Sequence, residues 1–216
     1  KYTTRTFGEV QRYRCFCCGK TFSDQSFSLD YYAKKAIDYE SVLQDITTSS
    51  GIRDIARRLK VSTSTVQNRT ARFAHQAIYT NEKLLKNYSA DEELCADGFE
   101  SFNVSQYFPN NTHVLLGRES QFICGIDSVT IRRKGRMTEL QKQKRIEMEK
   151  LYKAPTGGIR NSFKSIALRA MEICNEAGHS EICLNTDEHM SYPHAIKAAQ
   201  REWKKNNNNI SVRINH

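Results

Sequence analysis

From residue 94 onward the sequence passes through short apolar runs of strand length, broken by two amphipathic stretches of helix length. That order constrains the fold more than any other feature. Residues 94–99, 112–118 and 121–127 predict three strands, with Pro109-Asn110-Asn111 as a turn between the first two. Residues 137–151 are rich in Lys and Glu with few core positions and predict an exposed helix, ended by Pro155-Thr156-Gly157-Gly158. Residues 159–175 put Phe163, Ile166, Ala167, Ala170 and Ile173 on one helical face. A fourth strand over 181–187 follows, then a helix over 192–205 carrying Ala195, Ile196, Ala199 and Trp203, a turn over 206–209, and a fifth strand over 210–214.

Two isolated aspartates sit in this pattern. Asp97 follows Leu94-Cys95-Ala96, and Asp187 follows Ile182-Cys183-Leu184-Asn185-Thr186. Each ends an apolar run expected to be buried, and carboxylates are rarely buried unless paired or bound to a metal. Three strands, a helix, a strand, a helix and a strand is the order of the ribonuclease H-like fold, in which the first and fourth strands are parallel neighbours. Asp97 and Asp187 are then expected side by side. Two such carboxylates repel unless a cation lies between them. With Mg²⁺ or Mn²⁺ they would form the core of a two-metal site for in-line phosphoryl transfer. The plainer alternatives are a strand-end turn made with Gly98 for Asp97, and an N-cap of the following helix for Asp187.

The first third of the chain has a different character. The net charge is +9, and residues 1–80 hold 13 Lys/Arg against 7 Asp/Glu. Basic charge on a helical pattern fits a polyanion such as DNA. Residues 31–48 predict a helix, and Ser49-Ser50-Gly51 breaks it. Ile52, Ile55, Ala56 and Leu59 form one face of a short second helix. Val61 is then a buried turn residue, Ser62 or Thr63 an N-cap, and Val66 and Phe73 the inner face of a third helix. This is a helix-turn-helix pattern, whose last helix enters the major groove. Thr63, Ser64, Gln67 and Asn68 are placed to reach base edges, and Arg53, Arg57, Arg58, Arg69 and Arg72 to meet phosphates. An ordinary three-helix packing domain is the alternative.

Before it, residues 12–23 alternate like a hairpin closed by a knuckle. Cys15 and Cys18 have the spacing of half a tetrahedral Zn²⁺ site, and Gly19 allows the turn between them. Two free thiols beside a small hairpin is the other reading. Of the seven cysteines, Cys95, Cys124, Cys174 and Cys183 lie in apolar runs, as small buried hydrophobes of a reducing cytosol do. No apolar run is long enough to span a membrane. A cytoplasmic, nucleoid-associated location is expected. So are a partial zinc-ribbon-like knuckle over 1–30, a helix-turn-helix over 31–80, a linker or helix end over 81–92, and a catalytic domain over 93–216.

Taken together, the Arg12-Tyr13-Arg14-Cys15 knuckle, the helix-turn-helix, Asp97-Gly98-Phe99-Glu100-Ser101-Phe102 and Thr186-Asp187-Glu188-His189 followed by Tyr192 resemble bacterial and archaeal insertion-sequence transposases of the DDE class. The resemblance covers nearly the whole chain. It implies an α/β and α+β architecture: a zinc-ribbon-like hairpin, a helix-turn-helix and a ribonuclease H-like mixed-sheet domain. It also implies cleavage and strand transfer of double-stranded DNA at terminal inverted repeats, Mg²⁺ or Mn²⁺, and a homo-oligomer on DNA. Asp97 and Asp187 match the first two catalytic acids. The family's third acid lies beyond the fifth strand, where this sequence stops, so a fragment inactive by itself is expected. Glu202 is a poor substitute. The competing functions are a DNA-binding regulator or domesticated element without catalysis, and a ribonuclease H-like structure-specific nuclease.

Overall fold

The computed structural model describes residues 1–4, 8–206 and 211–215; the side chains of 27, 103, 104, 206, 214 and 215 are outside the description. The chain divides into two units, Lys1–Leu84 and Leu85–His216.

In the first unit, β1 (Tyr2–Thr4) pairs antiparallel with β2 (Gly8–Val10), and β3 (Arg12–Arg14) with β4 (Thr21–Ser23). Three helices follow: α1 (Tyr39–Thr47), α2 (Ile52–Arg58) and α3 (Thr63–Leu85). Val42, Ile55, Ala56 and Val66 form a small core, flanked by Ile37, Ile46, Ile52, Leu59 and Val61. The α2–α3 turn works because Lys60 takes a left-handed conformation (φ 52°), which lets the Val61 N–H donate to the Ala56 carbonyl at 3.0 Å. Ser62 Oγ then accepts the Thr65 N–H at 3.2 Å and caps α3. The first helix is shorter than the 31–48 expected. Tyr32 is left-handed (φ 55°), and the Asp38 carboxylate takes the N–H groups of Glu40 and Ser41, so helix begins only at Tyr39. Residues 81–85 belong to α3.

The second unit is built on a five-stranded sheet. Its strands are β5 (Leu94–Ser105), β6 (Phe108–Gly117), β7 (Ile123–Thr130), β8 (Glu181–Thr186) and β9 (Ser211–Asn215), in the order β7-β6-β5-β8-β9. β5, β6 and β7 pair antiparallel, whereas β5–β8 and β8–β9 are parallel. This is the strand order expected for a ribonuclease H-like sheet. Helix α5 (Gly158–Glu176) and α6 (Tyr192–Asn206) cover one face. Leu94, Leu115, Phe163, Ile166, Leu184 and Ile196 fill the core between them, and the small Ala167, Ala170, Ala195 and Ala199 let the layers close. On the other face Phe99, Ile123 and Ile126 are exposed. Helix α4 (Glu139–Leu151) has no buried residue. A Thr138–Gln141 capping box starts it, and Glu149 ties it to Arg132 at 2.5 Å.

One local prediction fails. Pro109-Asn110-Asn111 is strand, not turn: β5 runs on to Ser105, and the reversal falls at Gln106-Tyr107. Pro109 has no N–H to lose, and its carbonyl accepts the Ile131 N–H at 2.8 Å. β9 covers residues 211–214 of the expected fifth strand; residues 207–210, which hold most of the expected turn and the first residue of that strand, lie outside the described residues.

Candidate functional site

The β5–β8 register builds the site. Leu94 stands beside Leu184, Cys95 beside Asn185 and Ala96 beside Thr186. The ladder ends there, and Asp97 and Asp187 are the next residue of each chain. β5 continues through Asp97 and Gly98, so no strand-end turn forms there. Asp187 follows the last residue of β8, and α6 begins only at Tyr192, so Asp187 does not cap that helix. Both carboxylates are exposed, which corrects the expectation of burial: alternation turns Leu94 and Ala96 into the core and Asp97 out of it. Asp97 Oδ1 accepts the Gly98 N–H at 2.6 Å.

Behind the pair lies a buried aromatic cluster that the sequence did not disclose. His113 stands opposite Gly98 on β6 and is fully buried. Its Nδ1 is 2.8 Å from the Ser162 hydroxyl, and its Nε2 has no partner among the described residues. Burial lowers its pKa; the charges of Asp127, Asp97 and Asp187 pull the other way. Tyr192 stacks on Phe163 with ring centroids 3.6 Å apart, and His189 lies 4.9 Å from it on a tilted ring. Burial, then the charges of Asp187 and Asp97, push the Tyr192 hydroxyl up to about 12. The fields of both aspartates thus converge on the same two buried side chains. A Cβ at Gly98 would fall 2.7 Å from His113 Cδ2 and 2.8 Å from the Tyr192 hydroxyl oxygen, so glycine is what admits both. Tyr192 read only as a helix start, and His113 only as a strand residue. Neither has a spacing that would mark it.

Two exposed carboxylates are hard oxygen donors, the type Mg²⁺ and Mn²⁺ prefer. Among the described residues no group of three or more His, Cys, Asp or Glu side chains gathers to hold a metal. Glu202 pairs with Lys164 on α5.

In the first unit, Thr63, Ser64, Gln67 and Asn68 are exposed along the start of α3, and Arg53 is exposed on α2. The other arginines are engaged within the protein. Arg57 pairs with Asp54, and Arg58 with Asp45 and the Ser41 hydroxyl. Arg69, expected at a phosphate, is buried and donates to the Lys35 carbonyl at 3.1 Å. Arg72 donates to the Leu29 and Tyr31 carbonyls at 2.9 and 2.5 Å. The irregular 28–38 segment leaves carbonyls without helical partners, and these two guanidinium groups satisfy them. Cys15 and Cys18 flank the β3–β4 turn, with Gly19 left-handed (φ +70°). The backbone N–H groups of Cys18 and Cys17 hold the Cys15 thiol pKa below its ordinary value.

No protein-family profile matches the sequence, and no curated protein matches it. Among solved structures, ribonuclease H1 from the halophilic archaeon Halobacterium salinarum NRC-1 is similar over 57% of this chain and 83% of its own, at 14% identity and a TM-score of 0.27. A likeness so slight carries no argument about activity.

Proposed function

We propose that this protein processes DNA by metal-dependent phosphoryl transfer, as transposases of the DDE class do. One observation carries the proposal: the parallel β5–β8 ladder ends at the Ala96–Thr186 step, and Asp97 and Asp187 are the next residue of each chain. In this reading their carboxylates hold Mg²⁺ or Mn²⁺. The ion, when bound, would supply charge stabilisation to the phosphorane-like transition state. In this reading the parallel β5–β8 register would set the two acids side by side, and the packed His113–Phe163–Tyr192 cluster would keep the strands beside them from shifting. Thr63, Ser64, Gln67 and Asn68 would read bases, and Arg53 would meet phosphate. Cys15 and Cys18 would give half of a Zn²⁺ site.

A second reading is a DNA-binding protein without catalysis. It is favoured by the lack of a third carboxylate beside the pair among the described residues. Calorimetric titration with Mn²⁺ separates the two. The proposal expects Asp97→Asn and Asp187→Asn each to weaken the same site by at least about tenfold, the loss that even a hydrogen-bond partner of a metal ligand typically causes when removed. Equal binding by wild type and both variants would leave only the second reading.

A further inference from the structure

Two cavities of the Leu85–His216 unit meet at Arg160, in the first turn of α5. The larger, about 580 Å³, lies between the end of β7 and the start of α5. Six cations and one carboxylate line it. That carboxylate, Glu149, is already shared between Arg132 at 2.5 Å and Arg145 at 3.6 Å. Arg133, Lys134, Lys153 and Arg160 are left with no carboxylate partner among the described residues. The smaller cavity, about 380 Å³, lies between α5 and α6 and has no carboxylate in its lining. Lys164 there pairs with Glu202; Arg160, Lys197 and Arg201 have no such partner among the described residues.

Helix α5 begins within the larger cavity. Gly157 and Gly158 bring no side chain to it, no side chain caps the helix, and no acid sits in the first turn. The open N–H groups and the positive end of the helix dipole therefore add to a space that is already cationic. Arg160, Lys153, Lys197 and Arg201 are all exposed, so this charge faces an incoming ligand. Like charges gathered this closely repel until an anion shares them. One phosphate would need one cavity. Two cavities joined through a single arginine fit a row of phosphates.

We propose that this surface is a track for the phosphodiester backbone of DNA, running from Arg133 and Lys134 past the start of α5 to Lys197 and Arg201. The proposal rests on the DNA-processing reading above, and Ser191, in the segment that follows Asp187, lines the same cavity. Its contacts hold the strand and read no sequence.

The test uses the full chain and double-stranded DNA of mixed sequence, with affinity measured across a salt series. Replacing Lys153, Arg160, Lys197 and Arg201 together by Ala should lower the slope of log K against log salt by about 3–4, roughly 0.9 for each phosphate that is no longer neutralised. Replacing Lys142, Lys144 and Lys150 of α4 by Ala should change it far less. In wild type, bound DNA should protect Lys153 and Lys197 from reductive methylation. An unchanged slope, an equal effect in the α4 variant, or undiminished methylation of both lysines would overturn the track. The Mn²⁺ titration is run on the same preparations. Loss of the metal site with an intact track refutes the catalytic reading alone, and the converse refutes the track alone.

Discussion

Gly98→Ala puts the core behind the aspartate pair to a direct test. The new methyl would sit 2.7 Å from His113 Cδ2, 2.8 Å from the Tyr192 hydroxyl oxygen and 3.0 Å from His113 Nε2. Carbon–carbon contact is comfortable at about 3.5–4.0 Å, so each neighbour must give by roughly 0.5–1 Å. Neither can swing away. His113 is fully buried and held at Ser162, and Tyr192 is stacked on Phe163. Overpacking of this kind costs about 1–3 kcal/mol, offset by roughly 0.5–1 kcal/mol because alanine suits a strand better than glycine. The net loss is on the order of 1–2 kcal/mol, or a fall in Tm of about 4–8 °C for a unit of this size. Gly125→Ala is the control: its methyl meets Arg169 Cγ at 3.2 Å, so a neighbour must give by only a few tenths of an ångström and a smaller loss than at Gly98 is expected. Emission from Trp203, the sole tryptophan, reports this unit, because the ring packs on its core. Urea titration of both variants gives the difference. If Gly98→Ala unfolds at the same denaturant concentration as Gly125→Ala, the proposed tight packing over Gly98 is wrong.

Three further outcomes follow from the same geometry. Glu92 is held down to about 2, first by the Ser120 hydroxyl and then by the Ser120 and Glu119 N–H groups, with the Tyr88 hydroxyl adding less. A carboxyl whose pKa falls on folding stabilises the protein fully above its unfolded value and loses that effect as pH drops through the folded one. Between about pH 4.5 and pH 2 the wild type should therefore lose stability faster than Glu92→Gln, as read by acid titration of Trp203 emission. Arg69→Ala should destabilise the first unit by about 1.5–3 kcal/mol, the scale of a lost charged hydrogen bond, while the exposed Arg53→Ala changes little; circular dichroism melts of the two decide it. Burial pushes the Cys124 and Cys174 thiols up to about 11, so alkylation near pH 8 should mark the exposed Cys17 and Cys18 and spare both until the protein unfolds. Early labelling of Cys124 in the folded protein would contradict this.

The sheet was legible because its strands carry their own signal. The apolar runs Leu94–Ala96 and Ile182–Leu184 mark strands, so the existence and order of the strands could be drawn from the pattern. The exposure of Asp97 and Asp187 could not, because whether a carboxylate on or just past a strand faces core or water depends on a single step of alternation. Pro109 misled for a related reason: proline marks a turn in most settings, yet where its missing N–H has no partner to disappoint it sits in a strand. The pattern of α2 and α3 predicts arginines on a surface, but Arg69 and Arg72 satisfy carbonyls of residues far away in sequence. Contacts of that kind, like the closure of His113 and Tyr192 over Gly98, are set by tertiary packing and leave no periodic trace.

Helix α4 has a fate separate from the rest of its unit. No residue of it is buried, and the contacts that hold it include a cap at Thr138 and Glu149 gripping Arg132 and Arg145. Such bonds weaken as ionic strength rises, whereas the apolar core beneath is indifferent to salt. Salt should therefore act on this segment alone: amide exchange along it should quicken as ionic strength rises while β5 and β8 stay closed.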